Sequence, residues 1–249
     1  MPTRRLQVVR SGERTNPAGK PVSNKILLSI PDAEYRLIRP HLEFLDLPDR
    51  LRLHEPPEKL QFAYFPNSGL VSIVVATKGG RDVEAGVVGS EGVVGTALAV
   101  GLDKSPLREV VQIEGGAFRI ASRALQDALP KTPDLQMRLS RYAVLHGMQV
   151  AQTAACNRLH EVAQRLARWL LMAQDRVDAA ILPITHDFLA TMLGTDRPSV
   201  SLAAGALQQK KVIQYSRGSV RILNRKRLEM SACECFRVIQ QLNADFDLK

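Results

Sequence analysis

The chain is 249 residues long and 45% hydrophobic, which is enough for two domains of ordinary size with a buried core. Its formal net charge is +9, and the excess of Lys and Arg lies at the two ends: six against one acid in residues 1–25, and ten against seven in residues 178–249. No apolar run reaches the ~20 residues of a membrane helix, and the N-terminus lacks the apolar segment of a secretory signal. Three cysteines do not make a disulfide framework. These features argue against membrane attachment and predict a cytoplasmic protein whose basic parts could meet a polyanion.

The N-terminal half begins with residues 1–23, a mixture of Arg, Ser, Gly, Asn and Pro that predicts a disordered basic arm. One short helix is expected over residues 26–42, bounded by Pro31 and Pro40. Short strand-like runs follow, separated by clusters of Gly, Pro and Asn. The runs cover residues 43–47, 50–54, 62–66, 70–76, 82–88, 110–114 and 117–121, and the turns lie at 56–57, 66–69, 78–80 and 115–116. This pattern predicts a β-sandwich or jelly-roll barrel with room for one small ligand.

A long helix is predicted after Pro133, because apolar residues then recur at steps of three and four. They form a heptad-like seam, with one polar interruption, that consists of Leu145, Met148, Gln152, Ala155 and Leu159. Such a seam favours dimerisation; a helix packed on its own barrel is the alternative.

Residues 185–209 have the pattern of two short helices around a tight turn. Thr185 can cap the first helix and Gly194 can end it in a left-handed conformation. Asp196 can cap the second helix, with Pro198 in its first turn. The second helix has a buried side made of Val200, Ala203, Ala204 and Leu207. This is the pattern of a helix-turn-helix, whose second helix enters the DNA major groove.

The segment after these helices alternates apolar and polar residues over 212–223, with Gly218 in the turn between Ser216 and Ser219, which predicts a β-hairpin. Between Lys210 and Arg227 there are seven Lys or Arg and no acid. Helix-turn-helix, hairpin and basic flank together predict a winged helix whose hairpin grips phosphates.

An enzyme is the first rival function, since jelly-roll barrels also hold metal-dependent catalysts. That would need a His and carboxylate cluster, yet only His54 lies in the strand region, and residues 89–92 (GSEG) do not match a G-x-S-x-G nucleophile elbow. We therefore expect no enzyme activity. A module that acts on a protein partner through the winged helix is the second rival, and salt-insensitive binding would favour it.

The order of barrel, long helix and basic winged helix resembles the Crp/Fnr family of bacterial transcription regulators over about residues 24–236. The motifs that carry the resemblance are YFPNSGLVS at 64–72, VGSEGVVG at 88–95, CNRLH at 156–160, RLARWLLMAQDR at 165–176, FLATMLGTDRPSV at 188–200 and CECF at 233–236. It implies an α+β fold: a cyclic-nucleotide-binding-like β jelly-roll barrel (24–133), a dimerisation helix (134–160) and a winged helix-turn-helix (161–249). The dimer helix should end near residues 158–161.

The resemblance also implies a homodimer that binds a palindromic site in double-stranded DNA, with RNA polymerase as a further candidate partner. Arg197 matches a base-contacting position of the family, and an Arg can bond bidentately to guanine. Pro198 and Leu202 depart from the charged residues often found there, so the half-site sequence is not predicted. The expected DNA-binding residues are Thr185, Thr195, Asp196, Arg197, Ser199, Val200, Ser201, Lys210, Arg217, Ser219 and Arg221.

The chain departs most from the family's pattern in the expected sensory site. The family's cyclic-nucleotide binders pair a Gly with a Glu, but Thr96 follows Gly95 here, and Arg108, near the phosphate-binding position, is followed by Glu109. We expect an unknown effector rather than a cyclic nucleotide, with a cyclic-nucleotide-responsive regulator as the alternative. The possible pocket residues are Gly89, Glu91, Gly95, Thr96 and Arg108.

The number and spacing of the cysteines do not indicate a cofactor. An iron–sulfur cluster of the family's type would need N-terminal cysteines, and none precedes Cys156. Cys233 and Cys235 are too few for a closed four-ligand site, and Cys156 with His160, one helical turn apart, is more often a buried thiol and a capping His than a metal pair. We therefore expect neither metal nor cofactor.

Overall fold

The computed structural model describes residues 9–78 and 82–245. They divide into two compact units, one of residues 9–71 and 88–145, the other of residues 72–87 (without 79–81) and 146–245. The expected α+β class is confirmed, since both units combine helices with antiparallel strands. No helix among the described residues is long and apolar enough to cross a membrane.

The first unit opens with two short helices, α1 (Lys25–Ser29) and α2 (Asp32–Ile38), where the sequence predicted one. Pro31 separates them because the residue before a proline is held out of the helical region, and Pro31 itself is extended. The side chain of Asn24 caps α1 by accepting from the backbone N–H of Leu27 at 3.2 Å.

The disordered arm predicted for residues 1–23 is wrong for the part that the structure describes; residues 1–8 lie outside the described residues. Arg14 is buried and its guanidinium donates to the carbonyl oxygen of Ile30 and to Asp32 at 2.7 and 2.6 Å. A buried guanidinium with carbonyl and carboxylate partners fixes its segment, which the composition alone did not reveal.

The strands of the first sheet are β1 (Glu43–Leu47), β2 (Arg52–His54), β3 (Phe62–Val75), β4 (Val83–Val88) and β5 (Arg108–Ala121). Among the described residues the order is β1-β5-β3-β4, with β2 also paired to β5. Strands β1 and β5 run antiparallel, with Phe44 opposite Phe118 and their rings 5.3 Å apart. Helices α3 (Ser122–Ala128) and α4 (Pro133–Leu159) follow β5.

Two of the predicted turns are absent, because residues 66–69 lie inside β3 and residues 115–116 inside β5. Gly69 has φ +82°, and a side chain there would strike the carbonyl oxygens of Ile113 and Glu114. A Cβ on Gly115 would likewise collide with the backbone of Ser68. These glycines therefore allow two bent strands to approach closely instead of reversing the chain. The predicted turn at 78–80 falls partly outside the described residues.

The second unit contains α5 (Val162–Val177), α6 (His186–Met192), α7 (Arg197–Gln209), α8 (Arg225–Ser231) and α9 (Cys235–Asp245), with a three-stranded sheet of β6 (Ile181–Leu182), β8 (Ser219–Ile222) and β7 (Ile213–Ser216) in that order. The break after α4 lies where the resemblance placed it. Glu161 and Gln164 begin α5 with a reciprocal capping box. Trp169 of α5 is buried and packs edge-on against Phe188 of α6, with ring centres 5.9 Å apart.

A buried carboxylate in this unit ties the β3–β4 segment to α5. Glu84 accepts from Trp169 Nε1 at 2.7 Å and from Ser72 Oγ at 2.5 Å. Burial raises the pKa of Glu84 to about 7, although both hydrogen bonds act in the opposite direction.

Candidate DNA interface

The first helix of the predicted pair, α6, begins and ends as its sequence indicates. The Thr185 hydroxyl accepts from the backbone N–H of Phe188 at 3.2 Å. Leu189 and Met192 are buried on its inner face. Gly194 then has φ +57°, the left-handed conformation that ends a helix most readily at glycine.

The second helix, α7, begins at Arg197, where the Asp196 carboxylate accepts from the backbone N–H of Ser199 at 2.8 Å. Its buried face contains Val200, Ala203, Ala204 and Leu207. Arg197, Ser201 and Leu202 lie exposed on the opposite face. The helix therefore offers solvent a continuous surface that starts at its N-terminus.

The basic hairpin is formed by β7 and β8, with Ser216 opposite Ser219 and their hydroxyls 2.9 Å apart. Arg217, in the turn, and Arg221, on β8, are exposed. Because both residues are exposed, phosphate oxygens can reach their guanidinium groups.

Two contacts fix the hairpin relative to α7. Gln208 of α7 accepts the backbone N–H of Tyr215 at 2.7 Å. The His186 ring stacks on Tyr215 with centres 3.8 Å apart, and its Nδ1 lies 3.0 Å from Ser201 Oγ. Burial and the nearby Arg197 charge lower the pKa of His186, which favours the neutral ring. His186 thus joins both helices and the hairpin without adding charge.

A family model of a Crp-like helix-turn-helix domain matches residues 164–231. The match spans α5 to α8 and includes every contact described above, from the cap of α6 to the hairpin. It confirms the family resemblance on the part of the chain that contains α6, α7 and the hairpin.

The similarity of fold to solved structures extends beyond this domain. Three solved structures share the fold: FixK2 from Bradyrhizobium japonicum (15% identity, TM-score 0.67, 77% of this chain and 98% of that one), the c-di-GMP-responsive global regulator CLP of Xanthomonas campestris (18%, 0.65, 78% and 100%) and a CRP-family transcriptional regulator of Thermus thermophilus (21%, 0.62, 76% and 96%). At these identities the likeness shows the fold. A comparison with curated protein sequences finds no match.

The residues expected to contact DNA divide by exposure in the Crp-like domain. Exposed ones are Thr185, Asp196, Arg197, Ser201, Lys210, Arg217 and Arg221, and half-buried ones are Thr195, Ser199 and Ser219. Val200 is fully buried, so its prediction as a contact is wrong; it belongs to the packed face of α7. Leu202 was not among the expected contacts, although the resemblance placed it at a base-reading position, and it is 77% exposed in the middle of the outer face. Its place two residues after the buried Val200, about 200° around the helix, could have indicated this exposure.

Most of the predicted sensory residues already take part in hydrogen bonds with nearby residues. Arg108 Nε and Nη2 each lie 2.7 Å from a carboxylate oxygen of Glu55. The backbone N–H of Gly89 donates to Glu91, which is buried. Gly95 donates to the buried carboxylate of Glu109 at 3.2 Å, and Thr96 begins a 3-10 helix. Burial raises the pKa of Glu109 to about 7.

The predicted dimer seam is exposed on α4 only in part. Met148, Ala155 and Leu159 are exposed, but Leu145 is fully buried and Gln152 donates to Cys235 Sγ at 3.0 Å. The apolar stripe that α4 does expose consists of Val144, Met148, Ala151, Ala155 and Leu159. We call this set the α4 stripe.

The expectation that the cysteines are too few for a four-ligand site is corrected by the fold. Cys233 and Cys235 lie beside Cys156 and His160, which the sequence places more than 70 residues earlier, and ligand atoms of all four lie within 4.8 Å of one another. The sequence shows that Cys156 and His160 form one pair and that Cys233 and Cys235 form another. It does not show that the fold brings the two pairs together.

Proposed function

We propose that the chain is a sequence-specific transcription regulator of the Crp/Fnr type that binds a palindromic site in double-stranded DNA as a homodimer. The observation that carries the proposal is the exposed face of α7 beside a basic hairpin within a Crp-like helix-turn-helix domain. An exposed helix face of this kind fits the major groove, where base edges can be distinguished.

Arg197 supplies the most specific base contact in this proposal. Its Nε lies 3.5 Å from Asp187 Oδ1, but both side chains are about two-thirds exposed, at 65% and 68%. An ion pair this exposed contributes little stability, so Arg197 can exchange it for the O6 and N7 edge of a guanine.

Leu202 supplies an apolar contact in the same groove. An aliphatic side chain 77% exposed at the middle of a DNA-facing helix is well suited to the methyl group of a thymine. Ser201 is held by His186 and can contact a base or a phosphate. This combination reads a half-site through one charged and one apolar contact.

The hairpin and the end of α7 hold the phosphate backbone. Lys210, Arg217 and Arg221 are exposed and supply charge without base readout. Because Gln208 and His186 fix the hairpin to α7, a phosphate held by the hairpin sets the angle at which α7 enters the groove.

The homodimer forms through the α4 stripe. Val144, Met148 and Leu159 expose 56%, 42% and 74% of their side chains at helical spacing. Burying such a stripe against its two-fold copy removes apolar surface from water, at ~25 cal/mol per Å². Two copies of α7 then face successive major-groove turns about 34 Å apart.

The N-terminal sheet domain senses a signal other than a cyclic nucleotide. Glu55 already neutralises Arg108 bidentately, and the neighbouring Glu109 is buried, so a phosphate would meet carboxylates there. RNA polymerase is the expected partner if the output is activation.

Selection of bound sites from random duplex DNA by the purified chain, near physiological salt, tests this function. We expect enrichment of an inverted repeat with half-site centres about one helical turn apart. If the purified chain enriches no site, the selection is repeated in cell extract, which can supply an effector. If neither selection gives enrichment and only salt-sensitive binding to all sequences remains, the proposal of sequence-specific reading is wrong.

A further inference from the structure

Every cysteine of this chain lies in one buried cluster. Cys156, Cys233 and Cys235 are the three cysteines of the sequence, and they are exposed by 0%, 4% and 1%. His160 adjoins them, and its side chain is 14% exposed. The ligand atoms of these four residues all lie within 4.8 Å of one another.

Two of the six distances within the cluster are close to the edges of a metal-centred tetrahedron, and the other four are at most 4.8 Å. With Zn–S bonds of about 2.3 Å and Zn–N bonds of about 2.0 Å, tetrahedral geometry requires about 3.8 Å between two sulfurs and about 3.6 Å between sulfur and nitrogen. Cys156 Sγ and Cys233 Sγ are 3.5 Å apart, and Cys235 Sγ and His160 Nδ1 are 3.6 Å apart. The sulfurs are too far apart for a disulfide, whose bond is about 2.05 Å.

Helix geometry explains why each pair presents its ligands together. Cys156 and His160 are four residues apart at the end of α4, so they lie on one face, and the backbone N–H of His160 still bonds to the Cys156 carbonyl at 3.1 Å. Cys233 and Cys235 flank the start of α9, where the N–H of Phe236 bonds to the Cys233 carbonyl at 3.1 Å.

The surroundings orient the ligands in the way that metal sites require. His160 Nε2 lies 3.1 Å from Glu234 Oε1, so the carboxylate can hold that N–H and leave Nδ1 free to bind a metal. Gln152 Nε2 donates to Cys235 Sγ at 3.0 Å, which stabilises a thiolate. The buried guanidinium groups of Arg165 and Arg168 both interact electrostatically with Cys156.

We propose that Cys156, His160, Cys233 and Cys235 form a structural Zn²⁺ site. Three thiolates and one imidazole fill all four positions of a tetrahedral ion, which leaves no open position for catalysis. The site joins the end of α4 to the start of α9, two segments that are distant in sequence. A packed cluster of three neutral thiols is the competing explanation, but it gives no role to the His160–Glu234 pair.

The first test uses the full-length chain, purified under reducing conditions and reconstituted with Zn²⁺ or Co²⁺. We expect one Zn²⁺ per chain by elemental analysis. The Co²⁺ form should show the intense visible bands of tetrahedral coordination and a thiolate-to-metal charge-transfer band. A chelator should lower the denaturation midpoint of the chain, because a structural ion stabilises the folded state that binds it.

Variants show which residues bind the ion. Cys156→Ser, which removes one of the three thiolates, should weaken both the thiolate band and Zn²⁺ binding, whereas His41→Ala, which removes an exposed histidine elsewhere, should leave both unchanged. Since Cys156→Ser could disturb folding, Glu234→Gln is the second variant: Glu234 is 73% exposed, and losing this partner of His160 should weaken Zn²⁺ binding by about 10- to 100-fold while the chain stays folded.

Three results would overturn the site. The first is wild-type chain that takes up no Zn²⁺ and keeps three free thiols while folded. The second is a weak, octahedral-type Co²⁺ spectrum without a thiolate band. The third is Zn²⁺ uptake that Cys156→Ser and Glu234→Gln both leave unchanged, which would place the ion outside this cluster.

Discussion

Replacing Glu84 by Gln should stabilise the second unit at high pH but much less at low pH. The side chain is 6% exposed, and burial raises its pKa from the ordinary 4.5 to about 7. The folded state therefore binds the proton more tightly than the unfolded chain does. The Glu84 carboxyl therefore contributes favourably to the stability of the folded state below its pKa in the unfolded chain. This contribution is lost as the pH rises through its pKa in the folded state.

The size of the effect follows from the two pKa values. A difference of about 2.5 pH units corresponds to about 3 kcal/mol, the cost of holding Glu84 ionised at pH 8. At pH 5 that cost falls to about 1 kcal/mol, because the folded carboxyl is then protonated. A glutamine carries no charge, and its amide can still accept from Trp169 and donate to Ser72.

The assay is urea denaturation at pH 5 and pH 8, at one protein concentration, followed by fluorescence. Trp169 is the chain's only tryptophan and lies beside Glu84, so the signal reports on this unit. Glu84→Gln should gain about 2 kcal/mol more at pH 8 than at pH 5. The exposed Glu58→Gln is the control and should change the free energy of unfolding little at either pH. A Glu84→Gln variant that is equally or less stable than wild type at pH 8 would refute the reasoning.

Three further predictions concern DNA and assembly. Arg197→Ala should reduce discrimination between the selected site and a mutated site by about 5- to 150-fold in a competition binding assay; uniform weakening on all DNA would make Arg197 a phosphate contact. Arg221→Gln should weaken binding to every sequence and lower the slope of log affinity against log salt by about 1, and an unchanged slope would remove the hairpin from the interface. Met148→Glu should shift the dimer to monomer in sedimentation equilibrium, whereas Met230→Glu, at a residue 79% exposed on α8, should not; if both variants stay dimeric, the α4 stripe is not the interface.

Local signals in the sequence were sufficient for the helix-turn-helix. Thr185, Asp196 and Gly194 act through their own backbone neighbours, so their positions predict the caps and the turn that the structure contains. The hairpin around Gly218 was predictable for the same reason.

Features that depend on distant neighbours were not predictable. Gly69 and Gly115 resemble turn residues in sequence, yet each is glycine because another strand passes too close for a side chain. Arg14 resembles part of a solvated arm until α1 and α2 supply its acceptors. The cysteine cluster depends on the fold bringing α4 and α9 together, which no spacing along the chain encodes.

Exposure decides between two expectations for Val200, which the sequence placed both on the buried side of the helix and among the DNA contacts. Val200 and Leu202 are both aliphatic residues of α7, but one is fully buried and the other is 77% exposed. A helix turns by about 100° per residue, so two positions apart can face opposite sides. The surface that we propose to read bases therefore follows from the orientation of α7 on its core rather than from residue type.

In the proposed dimer, two copies of α7 read the two halves of one DNA site. Native mass spectrometry and affinity measurements on the selected duplex, with both half-sites intact or with one scrambled, test it most directly. We predict two chains on the intact duplex and a marked loss of affinity on the scrambled one, because one recognition helix then loses its base contacts. One chain per duplex, bound equally well to both, would contradict the claim.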